Sequence, residues 1–543
     1  MLKKLLLYYN TIKKMKPSQM KARIRKTIGL RNSLGIQPAK WDGQHYRFQV
    51  AEELDFDPPF LSRFDVDEFE KGKVTFLHES ELINWDEKWI VPARSALWNF
   101  NLHYFEYLMP YVKAYNETQD SKYVNAIKAS IDGWIKQNSA QTGGDGWAAY
   151  TISIRLVYWF SCLFYLSDQL DEDFRKRMIA SAYEQYTYLA DHLEKDLLAN
   201  HYFENLKVLV LCSLFFRDEK MLKRSLREIN KECKEQILPD GMHFELSPMY
   251  HKIILEAVLR VAIALRGDNQ EDAELEQYIK PMIDVAYSFE EDLERIPLFN
   301  DGGDNVAKSL DALLKTAYKY YQIIPEHKTK LPYSGYYFYK WNNWKLIVDA
   351  GATGPKYNAG HAHCDAMSFE LFYKGIPVLV NSGTYAYQCN ERPFFRSTSA
   401  HNTVMVNNTE QSECWGNFRV GKEAQIKVEK SNPDSIIMDM SDQKGHTIRR
   451  LIQMRDNHVF IEDVTSNGEL SSFLHLYRNT FDKICSSFTY IGNKTVMKQE
   501  YSPEYGMKQS ISTLILTGDK KTAFDLNLKT LELLMFDAQG RTE

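Results

Sequence analysis

The chain has no long hydrophobic run. Although 44% of its 543 residues are hydrophobic, charges interrupt every apolar stretch before it nears the ~18 residues of a membrane span. Its seven cysteines (Cys162, Cys212, Cys233, Cys364, Cys389, Cys414 and Cys485) are odd in number, scattered, and without the CxxC spacing of a zinc ribbon. Reduced thiols in a cytoplasm are the simplest expectation. The apolar run Leu5-Leu6-Leu7-Tyr8-Tyr9 is shorter than the roughly 7–15 residues of a signal-peptide core, and Lys13, Lys14 and Lys16 follow with no small-residue cleavage site. The expected location is therefore cytoplasmic, peripheral at the inner membrane. A global basic field is missing too: 67 Lys+Arg face 72 Asp+Glu, for a net charge of −5, which excludes nucleic acid as a phosphate-held partner.

What is present is uneven. Eleven basic residues and no acidic one lie between Met1 and Trp41, leaving the remainder at −16. The stretch Met1 to Leu30 mixes Leu, Tyr, Ile and Met with Lys and Arg at roughly helical spacing, broken by Pro17. Two readings follow: a basic amphipathic element on an anionic membrane surface, or a helical extension packed on the body with its lysines solvated.

From about Ser95 to Tyr321 apolar residues recur at three and four, as in Leu102-Tyr104-Phe105-Leu108 and Ile254-Ala257-Val258-Val261-Leu265. Turn-rich segments such as Gly143-Gly144-Asp145-Gly146 and Asn300-Asp301-Gly302-Gly303-Asp304 punctuate these helices. After Pro332 the pattern changes. Tyr336 to Trp341 and Trp344 to Val348 flank Asn342-Asn343, a hairpin signal, and strand-like runs continue to the end. A helical half followed by a β half predicts an α+β multidomain chain: an extension and lead-in over 1–94, tandem antiparallel helices over 95–331, and a large antiparallel sandwich over 332–543.

Polar groups concentrate in three segments: Asn200-His201-Tyr202-Phe203-Glu204-Asn205, Asp240 to His251, and Gly360-His361-Ala362-His363-Cys364-Asp365. Read singly, Asn200 is a good helix cap and Tyr250 a core tyrosine. The pair His361/His363 is sharper, since alternate residues of an extended segment point the same way. Two metal ligands, one ligand with one catalytic group, or two loop histidines all fit that spacing.

Together the segments resemble the heparinase II/III-like polysaccharide lyases and the architecturally related alginate lyases. The resemblance runs from about Trp98 to Trp415 and is strongest in Gly360-His361-Ala362-His363-Cys364-Asp365-Ala366-Met367-Ser368-Phe369, which looks like the family's GHxHxDxxSF segment. It is reinforced by Asn381 to Tyr387 and by Arg396 to Thr403. It implies an incomplete (α/α) toroid followed by an antiparallel β-sandwich, with the active site between them. It also implies β-elimination beside a uronic acid, with an anionic polysaccharide or oligosaccharide as partner, within bacterial capsule, O-antigen or exopolysaccharide metabolism.

By that resemblance Asn200 and His361 would hold the uronate carboxylate, whose developing charge needs donors already in place. Tyr250 would be general acid and, where the stereochemistry allows, also base. His201 would take the proton from the opposite face or assist binding. A tyrosine with a reference pKa of ~10 needs cationic or donor neighbours to act as a base, and His243, His251 and Arg396 are the candidates. Trp147, Tyr150, Arg155, Glu245 and Arg396 would line the substrate path, with Ser153, Trp159 and the segment Trp98 to Tyr104 beside them. The tryptophans, and likewise Gln411, Trp415 and Arg419, have packing as the alternative. The resemblance further implies one zinc ion on His363, residue 381 and His401, but Asn381 stands where an aspartate is usual, and an amide brings no charge to a zinc ligand set. Asp365 would then orient a histidine or cap the turn.

Two other readings remain at this point. An inverting glycoside hydrolase would use Glu245 with Asp301 or Asp304. A non-catalytic glycan-binding or assembly protein derived from a lyase would explain Asn381.

Overall fold

The computed structural model describes residues 2–87, 89–138, 143–477 and 487–532. Two amphipathic helices open the chain, α1 (Leu2–Ile12) and α2 (Pro17–Thr27), and lie on the body. A lead-in of short helices and the Lys73–Phe76/Glu79–Leu82 hairpin follows.

The helical half comprises α3 (Ala96–Tyr104), α4 (Leu108–Thr118), α5 (Ser121–Gln137), α6 (Ala149–Leu166), α7 (Glu172–Asp191), α8 (Ala199–Phe215), α9 (Glu219–Gln236), α10 (Pro248–Gly267), α11 (Ile279–Glu290) and α12 (Leu310–Tyr321). Their starts are written in the sequence. Ser95, Asp120, Asp171, Asp218, Ser247 and Ser309 each accept a backbone N–H of the following first turn, satisfying donors that a helix leaves orphaned. Helix α6 is long and apolar enough to cross a membrane by length and composition, yet 78% of that stretch is buried inside the protein. It is the central helix of the toroid core, where Ile152, Leu156 and Trp159 are fully buried.

The second half is antiparallel: β1 (Tyr336–Trp341), β2 (Trp344–Asp349), β3 (Phe369–Tyr373), β4 (Ile376–Leu379), β5 (Val404–Val406), β6 (Gln425–Asn432), β7 (Ser435–Ser441), β8 (Thr447–Arg455), β9 (His458–Leu476), β10 (Phe488–Ile491), β11 (Asn493–Tyr501) and β12 (Gln509–Asn527). The hairpin expected at Asn342-Asn343 is present as β1–β2, with Trp341 opposite Trp344. With the two-residue strand Lys330–Leu331, which pairs with β1, these strands hydrogen-bond into one thirteen-stranded sheet rather than two separate ones. Long β9 and β12 carry it round, with a register break between Val464 and Glu469, and such irregularities bend a sheet. Val348, Phe369 and Leu371 from one arm then share a core with Ile436, Ile448, Ile461, Leu514 and Phe524 from the other.

Period-two alternation fixes how the halves meet. While Phe369 and Leu371 face the sheet's own core, Phe338, Ile347 and Phe372 pack with Met242, Leu246, Val285, Phe289 and Phe299 of the helical half. Between the halves lies a cavity of ≈ 640 Å³, lined by α3, α6, α8 and α10 on one side and by loops of the sheet half on the other.

Candidate functional site

Backbone strain marks how the site's segments enter. Leu198 (φ 64°, ψ −153°) and Ala199 (φ 50°) force the turn that sets Asn200 and His201 on the first turn of α8. Leu246 (φ 58°) precedes the Ser247 cap of α10, whose hydroxyl accepts from the Tyr250 N–H at 3.2 Å and donates to the Asp301 carbonyl at 2.6 Å. Asn300 (φ 56°) and Met367 (φ 59°) complete the set. Non-glycine residues in this region persist where surrounding contacts over-determine them, commonly at functional sites.

The structure brings Tyr150, Asn200, His201 and Tyr250 from the helical half and His361 from a loop of the sheet half to the lining of one cavity. Tyr250 packs its ring on His361, with centroids 3.9 Å apart. Its hydroxyl pairs with that of Tyr387 at 2.6 Å, and Tyr387 pairs with Tyr505 at 2.6 Å. Burial pushes the Tyr250 phenol well above its ordinary value, as do the charge of Asp301 and the neighbouring Tyr505, so the resting hydroxyl is protonated.

Each imidazole is backed by a carboxylate. His201 Nδ1–H donates to Glu194 Oε1 at 3.0 Å and His361 Nδ1–H to Asp301 Oδ2 at 3.1 Å, leaving each Nε2 as the ring nitrogen available to a ligand. Burial opposes charge on His201, but the Glu194 carboxylate outweighs it and the pKa is raised. Asn205 holds Glu194 in turn, donating through Nδ2 at 3.1 Å.

Asp301 is the hub. It accepts from His361, from His363 Nε2 at 2.8 Å, from Thr384 Oγ1 at 3.0 Å and from both terminal nitrogens of Arg392. Burial alone would raise its carboxyl; Arg392 and the two imidazoles hold it well below the usual carboxylate range. His361 and His363 do point to one side, toward the same carboxylate, although they occupy a turn rather than a strand.

Other sequence candidates lie elsewhere. Arg155 is fully buried, stacks 3.9 Å from the Trp134 ring, and donates to Gln185, His103 O and Gly146 O. Trp147 packs against Trp134 and Tyr188. Arg396 donates to the carbonyls of Ala362, Gly416 and Arg419 and so braces the His361 loop from behind. None of the three lines the cavity, because guanidinium and indole donors found internal acceptors first. His251 accepts the His243 N–H and bonds Met282 O, and both rings are held below the usual histidine pKa by burial. Neither they nor Arg396 touches the Tyr250 hydroxyl. Glu245 is buried with both oxygens unpartnered, 3.8 Å from His243 Nδ1. Burial raises its carboxyl. With Asp301 locked to Arg392 and Asp304 bonded to the Ile296 N–H, the three carboxylates of the hydrolase reading present no pair to the cavity.

The implied zinc set is only half met. His363 Nδ1 and both ring nitrogens of His401 are buried without partners, and the rings stand 5.2 Å apart. Asn381, however, uses Oδ1 to accept from the Asn402 N–H at 3.1 Å, and Arg392 occupies the nearest carboxylate. Among the described residues no group of three or more His, Cys, Asp or Glu is placed to hold an ion. Two neutral imidazoles without a charged third donor do not fit a zinc site of the two-imidazole, one-carboxylate kind. Asp365 accepts the Asn300 N–H at 2.9 Å and so ties the His361 loop to the Asn300 turn rather than holding a histidine.

Glu194, Arg392, Tyr387 and Tyr505 are site residues that sequence reasoning did not single out. Tyr387 closes the quoted Asn381 to Tyr387 motif, so a signal existed; Tyr505, in the β11–β12 connection, carried none.

Comparison with known proteins bears on the family and the fold. The heparinase II/III N-terminus model matches residues 3–329 and the heparinase II/III-like C-terminal model residues 324–477. A heparin-sulfate lyase of Pedobacter heparinus is 26% identical over 363 residues, covering 60% of this chain and 54% of its own; that of Bacteroides thetaiotaomicron is 22% identical, covering 63% and 57%. The chain thus spans little more than half the length of the curated relatives it matches. In fold it is similar to a crystal structure of heparinase III, with a TM-score of 0.67 at 15% identity over 94% of this chain and 92% of that one. Matched along nearly all of its described length by the two models, the chain belongs to the heparinase II/III-like family.

Proposed function

We propose that the protein is a polysaccharide lyase that cleaves beside a uronic acid by β-elimination, as the names of its relatives suggest. One observation carries this reading: Asn200, His201, Tyr250 and His361, drawn from three separated segments, line one cavity between the two halves. In elimination the proton α to the carboxylate leaves, a C–C double bond forms, and the 4-linked oxygen departs with a proton. The Asn200 amide and the Glu194-backed His201 supply donors for the carboxylate as charge builds on it. Tyr250, protonated at rest, is the acid for the leaving oxygen. Base duty falls to the Nε2 lone pair of His361 or to Tyr250 once ionised, whereas His201, its pKa raised by Glu194, neutralises. No step is routed through a metal. The test is the ultraviolet absorbance of the unsaturated uronate product, screened over uronate polysaccharides; new reducing ends without it would indicate hydrolysis instead.

The charged state of His201 gives a pH prediction. Its proton is needed for carboxylate binding, so activity is present below the His201 pKa and falls as pH rises through it. Removing the raising charge in Glu194→Gln lets burial dominate, and the alkaline limb of kcat/KM moves to lower pH. An unmoved limb removes His201 from this role.

The cavity also speaks to charge density. Its fixed lining cations are Arg63 and Lys207, each already paired with a lining glutamate, Glu106 and Glu204, while Glu79, Glu194 and Glu256 are paired with Arg94, His201 and Arg260. A sulfate beside the cleaved uronate finds no uncommitted fixed cation among the described lining residues. We expect unsulfated uronate chains to be turned over at least about tenfold better in kcat/KM than their sulfated counterparts, since each unpaired buried charge costs more than one tenfold step. Equal turnover would refute this. The setting we propose is bacterial capsule, O-antigen or exopolysaccharide metabolism on the cytoplasmic side, supported by six described cysteines that are all free thiols; Cys485 lies outside the described residues.

A further inference from the structure

Helices α1 and α2 present two unlike faces. The inner one holds them across both halves of the body. Asn10 donates to Glu413 at 3.0 Å and Lys14 pairs with Glu423 on the sheet side, while Lys16 pairs with Glu235, Lys26 with Asp196 at 3.0 Å, and Arg31 with Asp191 on the helical side. The extension therefore packs on the body, as the second of the two sequence readings expects. That docking does not account for the outer face. Nine of the twenty-one large hydrophobic residues exposed among the described residues fall between Leu5 and Leu30. Leu5, Tyr9 and Ile12 on α1 are spaced four and three apart, and Met20, Ile24 and Ile28 along α2 four and four, the intervals of a single helix face. Tyr9 is 65% exposed and Ile28 64%.

We propose that this outer face is a seat for an anionic bilayer surface. Exposed Lys4, Lys13, Lys21 and Arg23 border the apolar row, and no acidic residue occurs before Asp42. Apolar side chains beside uncompensated basic ones are what an interfacial helix needs: burial at the acyl boundary plus attraction to anionic headgroups. A second copy of the same face would bring basic on basic with no carboxylate to relieve it.

The seat connects to the cavity. Tyr8 packs edge-on to Trp415 at 4.8 Å, and Trp415 pairs with Arg419 in a short hairpin. Phe418 in that hairpin's turn lines the cavity, its ring centroid 6.4 Å from that of His361. Membrane seating brings this rim toward the lipid surface, an arrangement suited to glycan still attached to, or emerging from, a membrane. The inference stands independently of the lyase reading.

Flotation of the full chain with phosphatidylcholine vesicles, with and without about one-third phosphatidylglycerol, tests it. The protein floats with the anionic vesicles, not with the neutral ones, and added salt weakens the association. The triple variant Lys13→Glu/Lys21→Glu/Arg23→Glu and the double variant Leu5→Ser/Ile24→Ser each lower partitioning at least about tenfold. Their melting temperatures stay at the parent value, because the replaced side chains do not touch the body. Flotation with neither vesicle, equal flotation with both, or a dimer in solution that the double variant disperses would overturn the proposal.

Discussion

Replacing Tyr250 with phenylalanine abolishes elimination, lowering kcat by about 10²–10⁴-fold, while the folded protein melts as the parent does. The side chain's packing is ring packing, 3.9 Å between centroids against His361, and phenylalanine keeps it. Tyr387 loses one hydroxyl partner but retains Tyr505 at 2.6 Å, so no buried polar atom is orphaned. What disappears is the proton that the leaving oxygen requires. The loss falls on kcat rather than KM, because Asn200 and His201 still receive the carboxylate. Tyr387→Phe is the control: it removes the partner of Tyr250 but not the acid, and costs no more than about tenfold. Full activity in Tyr250→Phe would remove the mechanism, and a rise in KM with kcat unchanged would recast Tyr250 as a binding group.

Much of the fold was legible because its signals are local. Serine and aspartate caps, three-and-four spacing and the Asn342-Asn343 turn each act within a few residues of themselves, and they recur as α3 to α12 and the β1–β2 hairpin. The core of the site was legible through spacing as well, since His361 and His363 reach one carboxylate. The identity of that carboxylate was not, because Asp301 lies about sixty residues earlier and its neighbours in sequence read only as a turn. Arg155 shows the opposite failure. An arginine beside aromatic residues on a toroid helix reads as a cleft residue until Trp134 and Gln185, on other helices, are seen to enclose it. Long-range burial decides such cases, and a local pattern does not encode it. The continuity of the sheet was equally hidden: β9 and β12 are each nineteen residues long, and only pairing shows that they join what would otherwise be two layers.

The largest effect on stability is expected at Asp301. Asp301→Asn keeps the shape of the side chain and removes its charge, leaving Arg392, fully buried, without a counterion. Breaking a buried pair from one side costs about 3–5 kcal/mol, since the surviving charge stays desolvated. The same substitution weakens the hold on His361 Nδ1 and His363 Nε2 and on the Thr384 hydroxyl, so activity falls even under conditions where the variant remains folded. Two further variants separate these effects. Arg392→Met alone leaves the Asp301 carboxylate buried with only imidazole and hydroxyl donors, and destabilises similarly. Asp301→Asn with Arg392→Met removes both charges and regains a large part of the lost stability, but it does not restore the carboxylate behind His361, and elimination stays low. Denaturant unfolding of the three variants, read beside single-turnover elimination, distinguishes the hub from a dispensable ion pair. An Asp301→Asn protein that unfolds at the parent midpoint and turns over normally would show that neither the Arg392 lock nor the His361 anchor matters.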